Sequence, residues 1–203
     1  MTLLALDLVA CGSIPSSQPT PAQSSSQPSA LVTPTQAVSS HAADATASPI
    51  GSAIPVDTGL LESLPRSLDG LERQTDPSVD TTIARDANLA MLARSFATAL
   101  YIDPKSGDFA YVSLVRLAQT LSEEAYRDYR DSFDEAACAQ AGGRSGTAIA
   151  TLGGRQVDIG TCAGGVTTYH TLLDDGVILA VSALGQRKLG EKVLASLAPP
   201  GSS

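Results

Sequence analysis

Two stretches in the middle of the chain have the apolar, β-branched and aromatic content that is typical of neighbouring strands. They cover residues 96–102 and 109–117, and the turn-rich segment 103–108 separates them. Because such a break between two strand-like runs indicates a reversal of the chain, we expect a hairpin here.

A helical spacing precedes this hairpin. Leu89, Leu92 and Phe96 are separated by three and four positions, which predicts a helix over residues 86–94. The same pattern also permits a helix that continues to Leu100, in place of the first strand. Both alternatives remain open at the level of the sequence.

The clearest helix signal begins near residue 120. Thr120 and Glu123 have the spacing of a capping box, and the apolar periodicity then runs to about Ala139. The larger apolar side chains fall on one face: Tyr126, Tyr129, Phe133 and Ala137. Gly142 and Gly143 end the segment, as glycines often do at helix C-termini.

Four strand-like runs follow, at 147–152, 156–162, 166–173 and 177–183. Gly153-Gly154 joins the first two runs and Asp175-Gly176 joins the last two, and both dipeptides favour tight hairpins. Residues 177–181 are apolar at every position, so we expect this strand to be covered on both faces.

The remaining elements complete an α+β prediction. Residues 64–71 indicate an entry turn with a short strand, and 186–197 indicate a final helix before Pro199 and Pro200. Consecutive hairpins without a strand–helix–strand rhythm favour an antiparallel sheet. We therefore predict about six antiparallel strands with two to three packed helices.

Composition separates a linker from a globular domain. Residues 12–55 contain no Lys, Arg or aromatic residue, and they hold seven of the twelve prolines. Such a segment buries too little apolar surface to offset its chain entropy, so we expect a disordered linker. All five Tyr and three Phe lie between Phe96 and Tyr169, which places the globular domain at residues 56–200.

Charge and hydropathy exclude two classes of function. The chain carries a formal net charge of −8 and has no basic patch, which argues against a nucleic acid partner. No apolar run approaches the roughly 20 residues that a membrane-spanning helix needs.

Near the N-terminus, Leu8-Val9-Ala10-Cys11 is followed by small residues and then by a tract rich in Ser, Pro, Thr and Gln. This run resembles the lipobox of a bacterial lipoprotein precursor. The resemblance implies a signal segment at residues 1–11, cleavage after Ala10 and lipidation of Cys11 by fatty acids such as palmitate. It also implies a domain that is anchored to the cell membrane on its extracytoplasmic face.

Once the resemblance assigns Cys11 to a lipid, Cys138 and Cys162 remain. An oxidising compartment permits a disulfide between them, and two separate free thiols are the alternative. No metal site is expected, because no Cys-x-x-Cys motif or His pair accompanies these cysteines.

Catalytic signals are weak. His170 is the one histidine of the predicted domain, and Asp174 and Asp175 follow it closely, but no nucleophile motif accompanies them. We expect His170 to be a partly buried or surface strand residue and the two aspartates to belong to a turn. No catalytic residue is assigned.

Two further patterns have structural explanations. We expect a solvated helix face, and not a calcium site, for the acidic residues Glu123, Glu124, Asp128, Asp131, Asp134 and Glu135. The three glycine pairs lack the Lys and hydroxyl residue of a phosphate loop, so no cofactor is expected. For Gly164-Gly165, a loop that faces a ligand remains an alternative.

These features favour a membrane-tethered accessory domain that binds a small ligand or an envelope protein without catalysis. One alternative is a cell-envelope hydrolase that uses His170 with acidic residues. A second alternative is a sensor-type accessory protein of a membrane complex.

Overall fold

A computed structural model describes residues 53–197 of the chain. Cys11, the predicted signal segment and residues 12–52 of the predicted linker lie outside the described residues, as do the last residues of the predicted domain. The folded part begins slightly earlier than expected: Ile54 is buried, and its N–H donates to Ala84 O over 2.9 Å. Residues 53–55 therefore belong to the domain and not to the linker.

The centre of the domain is a six-stranded antiparallel sheet. It is built from β3 (Ala93–Ile102), β4 (Phe109–Leu117), β5 (Arg144–Leu152), β6 (Arg155–Cys162), β7 (Thr167–Leu172) and β8 (Val177–Leu184), in the spatial order β3-β4-β8-β7-β6-β5. A separate small hairpin pairs β1 (Ser67–Leu68) with β2 (Leu71–Glu72). The antiparallel sheet with packed helices confirms the predicted fold class.

One face of the sheet packs against the C-terminal helix. Alternate residues of the central strands, among them Val112, Leu179 and Val181, form the larger apolar cluster. The 3-10 segment Thr58–Ser63 and helix α4 (Leu189–Ala195) cover this cluster. Burial of apolar area here supplies most of the driving force for folding.

The opposite face carries three helices and a smaller apolar cluster. They are α1 (Pro77–Ile83), α2 (Ala87–Ala90) and α3 (Glu123–Cys138). Phe96, Val115 and Ile178 are fully buried beneath them. Because Ile178 faces this cluster and Leu179 faces the other, β8 is covered on both sides, as its continuous apolar run predicts.

The helices before the sheet differ from the prediction. The expected helix over 86–94 is a single turn, α2, and β3 already begins at Ala93, so the alternative of a helix that continues to Leu100 is wrong. Helix α1 was not predicted at all. Its signal is Asp76-Pro77: the Asp76 carboxylate accepts from the N–H groups of Ser78 and Val79, and Pro77 occupies the first turn.

Helix α3 begins two residues later than the capping-box pair suggested. Ser122, and not Thr120, is the N-cap, and its hydroxyl oxygen accepts from Ala125 N–H over 3.2 Å. Gly153 and Gly154 both have positive φ in the β5–β6 turn, as the hairpin prediction requires.

Candidate functional site

Helix α3 is fixed to the sheet by a covalent link at its last residue. Cys138 and Cys162 form a disulfide with a Cα–Cα distance of 5.2 Å. Cys162 is the last residue of β6, and both cysteines are buried. The C-terminal turn of α3 is therefore held directly against the end of β6.

A buried acid–histidine pair lies one helical turn before this disulfide. Asp134 of α3 points into the sheet, where its Oδ1 lies 2.7 Å from His170 Nε2 on β7. The Thr168 hydroxyl donates to the same oxygen over 2.6 Å. The Phe133 ring packs edge-on against the imidazole, with 5.1 Å between the ring centroids. Asp134 is 1% exposed and His170 0%.

The sheet approaches the carboxylate closely because β6 has a glycine at this point. A Cβ on Gly160 would lie 2.4 Å from Thr168 Oγ1 and 2.6 Å from Asp134 Oδ2. Either distance is shorter than a real van der Waals contact, so any side chain at residue 160 would displace the pair. Gly160 thus makes the room that Asp134 occupies.

The electrostatics favour an ionised carboxylate in this buried site. Burial alone raises the pKa of Asp134, but the hydrogen bonds from His170 and Thr168 and the nearby positive charge of Arg144 outweigh it, and the pKa of Asp134 is lowered. An ionised Asp134 only accepts hydrogen bonds, so His170 Nε2 carries the proton between them. His170 Nδ1 is also buried, and it has no hydrogen-bond partner among residues 53–197.

These contacts correct two expectations. The sequence predicted that Asp134 lies on a solvated helix face, but Asp134 is the most buried acid of that helix. His170 was expected to be partly buried or at the surface, but none of its surface is exposed. A general base must reach the proton that it removes, and an enclosed imidazole does not meet that condition in this conformation.

The solvent side of the pair is covered by a network of ion pairs. Arg144 Nη1 lies 3.0 Å from Asp131 Oδ1 and 3.8 Å from Asp134 Oδ2. Arg130 lies 3.2 Å from Asp131 and 3.3 Å from Asp158. The Arg144 guanidinium therefore links the buried carboxylate to this network, and both arginine side chains remain partly exposed.

The charged residues of this network line an open cleft of about 470 Å³ between α3 and the β5–β6 hairpin. Thr147, Ala148 and Ile149 of β5 form one wall, and Arg130 and Asp131 of α3 form the other. The arrangement offers donors, acceptors and one aliphatic surface to a small polar molecule.

A second cleft, of about 420 Å³, lies nearer the N-terminus of α3. Asp158 lines both clefts, and the Tyr126 hydroxyl donates to it over 3.4 Å. Burial, together with the negative charge of Asp158, raises the pKa of Tyr126, so its hydroxyl stays protonated at neutral pH. Leu121 and Leu172 give this cleft an apolar part.

The other predicted site residues are not brought together with His170. Asp174 forms an ion pair with Arg155 over 3.5 Å, and Asp175 pairs with Arg116 over 3.6 Å, both at the β7–β8 turn. The remaining acids of the α3 prediction, except Asp131, are exposed, as expected for a solvated face. Gly165 has positive φ in the β6–β7 turn, which explains that glycine without a ligand.

Within residues 53–197, no group of three or more His, Cys, Asp or Glu side chains is arranged to hold a metal ion. No helix in the same range is long and apolar enough to cross a membrane. Comparisons with protein-family models, with curated proteins and with solved structures found no match to this chain.

Proposed function

We propose that the chain is a lipid-anchored, extracytoplasmic domain that binds a small polar ligand in the α3/β5–β6 cleft and does not act on it chemically. Cys11 carries the lipid, and residues 12–52 link it to the domain. The burial of His170 is the observation that carries the proposal. The acid–histidine pair, which has the residue types of an acid–base catalyst, is enclosed, while the cleft beside it is open.

The disulfide supports the extracytoplasmic part of the proposal. Disulfides persist in oxidising compartments and are rare where thiols are kept reduced. The Cys138–Cys162 bond joins two buried positions at the ends of α3 and β6, which is typical of a structural disulfide. Export is therefore consistent with the lipidation that the Leu8–Cys11 run implies.

The anchor is tested by mass spectrometry of the mature protein, purified from the membranes of the organism that makes it. We expect the N-terminal peptide to begin at Cys11 and to carry a diacylglyceryl group. A Cys11 without lipid, or a peptide that still contains Ala10, would refute the anchor.

The cleft is tested by native mass spectrometry of the protein after incubation with a small-molecule extract of the same cell envelope. Arg144→Gln alters the cleft, and Arg116→Gln is a matched control, because it also removes one partly exposed arginine that pairs with an aspartate. We expect a bound species that Arg144→Gln removes and Arg116→Gln retains. If no species binds, or if both variants retain it equally, the cleft is not the binding site.

A further inference from the structure

The two edges of the sheet differ in whether their outer backbone groups are paired. At the β3 edge, Phe96 exchanges backbone hydrogen bonds with Pro55 and Asp57, and Leu100 exchanges two with Gln74. At the opposite edge, β5 pairs with β6 on one side, and no other strand or bridge among residues 53–197 pairs with its outer side. The domain therefore has one covered edge and one open edge.

The open edge lacks the features that normally prevent edge-to-edge association. Such edges are usually short, charged, proline-bearing or bulged. Strand β5 is nine residues long, its stretch 145–152 has no charged residue or proline, and its one irregularity lies at the Arg144 end. Ile149, near its centre, is 67% exposed.

The residues along this edge form a palindrome. Thr147-Ala148-Ile149-Ala150-Thr151 is the same in both directions around Ile149. If two copies of β5 pair antiparallel around a twofold axis at Ile149, each Thr lies opposite a Thr, each Ala opposite an Ala, and Ile149 opposite Ile149. Cross-strand Thr pairs and β-branched pairs are favourable in antiparallel sheets.

The distribution of charge also favours a second copy of this chain as the partner. The whole chain has a net charge of −8, so two copies repel each other over much of their surface. Along the open edge no carboxylate meets its equivalent, because residues 145–154 contain no charged side chain. A twofold contact through β5 therefore brings no like charges of this stretch together, and it is isologous, as most homodimer contacts are.

We propose that β5 is a self-association edge, at which a second copy of this chain adds its own β5 antiparallel and joins the two sheets into one. An interface of about five residue pairs buries less area than the roughly 1,600 Å² of a standard stable interface, so we expect the dimer to be weak in dilute solution. Anchoring both copies to one membrane would raise their effective concentration. The edge itself does not depend on the proposed ligand or anchor.

The register gives a sharp test by disulfide cross-linking. The full chain is used with Cys11→Ser, which removes the free thiol and the lipid. Across the twofold axis, the two residues at position 149 lie about 5 Å apart between Cα atoms, which a disulfide can bridge. We expect Ile149→Cys to form a covalent dimer on mild oxidation.

Two further arms fix the register. Thr147→Cys alone should stay monomeric, because the two copies of residue 147 are about 14 Å apart along the strands. Mixing it with Thr151→Cys should restore cross-linking. Leu172→Cys is the matched control, since Leu172 is 49% exposed at the end of an inner strand, and it should not cross-link above background.

Sedimentation measures the association without a covalent bond. We expect the Cys11→Ser chain to dimerise with rising concentration, and Ile149→Lys to weaken this at least about tenfold, because like charges directly opposite are unfavourable. Leu172→Lys should associate like the parent chain. A parent chain that stays monomeric up to millimolar concentration, or cross-linking by Thr147→Cys alone that equals Ile149→Cys, would overturn the proposal.

Discussion

Asp134→Ala tests the buried acid–histidine pair most strongly. The substitution removes the acceptor of two hydrogen bonds, from His170 Nε2 and from the Thr168 hydroxyl, in a site without solvent contact. Hydrogen bonds to a charged group contribute about 1.5–3 kcal/mol each, and loss of one member of a buried pair costs about 3–5 kcal/mol. We therefore expect the free energy of unfolding to fall by about 4 kcal/mol.

Urea unfolding at neutral pH measures this change, with an unaltered slope as the sign that only stability has moved. Glu135→Ala is the matched control, because it removes the neighbouring acid of the same helix from an exposed position. It should change stability by less than about 0.5 kcal/mol.

A double substitution distinguishes the interaction between the two side chains from the effect of the volume that they fill. Asp134→Ala combined with His170→Leu replaces both polar groups with apolar ones of similar total volume, which is often close to neutral for a buried ion pair. The double variant should be more stable than Asp134→Ala alone. A loss below about 1 kcal/mol in Asp134→Ala, or strictly additive effects in the double variant, would refute the coupling.

Three further predictions concern the same region. Gly160→Ala should destabilise the domain by about 1–3 kcal/mol in the same urea assay, because its methyl group would overlap Thr168 and Asp134; a neutral effect would contradict the close approach. Because the pKa of Asp134 is lowered below its ordinary 3.8 in the folded state, its contribution to stability is present above pH 3.8 and is lost as the pH falls through the folded pKa. Asp134→Asn should therefore show a smaller loss of stability below pH 3.8 than the parent, and equal acid sensitivity would count against an ionised Asp134. Replacing Cys138 and Cys162 with serine opens a loop with a sequence separation of 24, which should cost about 3 kcal/mol and lower the Tm by about 6–12 °C; a calorimetric scan that is unchanged would show that the bond does not stabilise the fold.

The β5–β6 and β7–β8 hairpins were predictable, because Gly153-Gly154 and Asp175-Gly176 each mark a tight reversal. The pairing of β4 with β8, which sets the order of the strands in the sheet, has no such local signal. Helix α1 was missed because it is short and has no fully buried residue, so its apolar periodicity is weak. Only the capping pair Asp76-Pro77 marks its start.

The buried pair was not predictable from apolar periodicity, because Asp134 is polar on an inward face. A geometric signal was nevertheless present. Asp134 lies four residues before Cys138, and Gly160 lies two residues before Cys162, so a disulfide between the cysteines turns both residues toward the same interface. The register that places Thr168 opposite Gly160 and His170 opposite Asp158 depends on the β6–β7 pairing, which the sequence did not specify.

The enclosure of His170 is the claim on which the binding function rests, and chemical modification tests it directly. Diethyl pyrocarbonate acylates accessible imidazoles, and peptide mass spectrometry reports the modified fraction at His170. We predict that His170 stays unmodified in the native protein and reacts after unfolding in urea. Modification of native His170 at the rate seen in the unfolded chain would contradict the enclosed pair and would return the histidine to the candidates for catalysis.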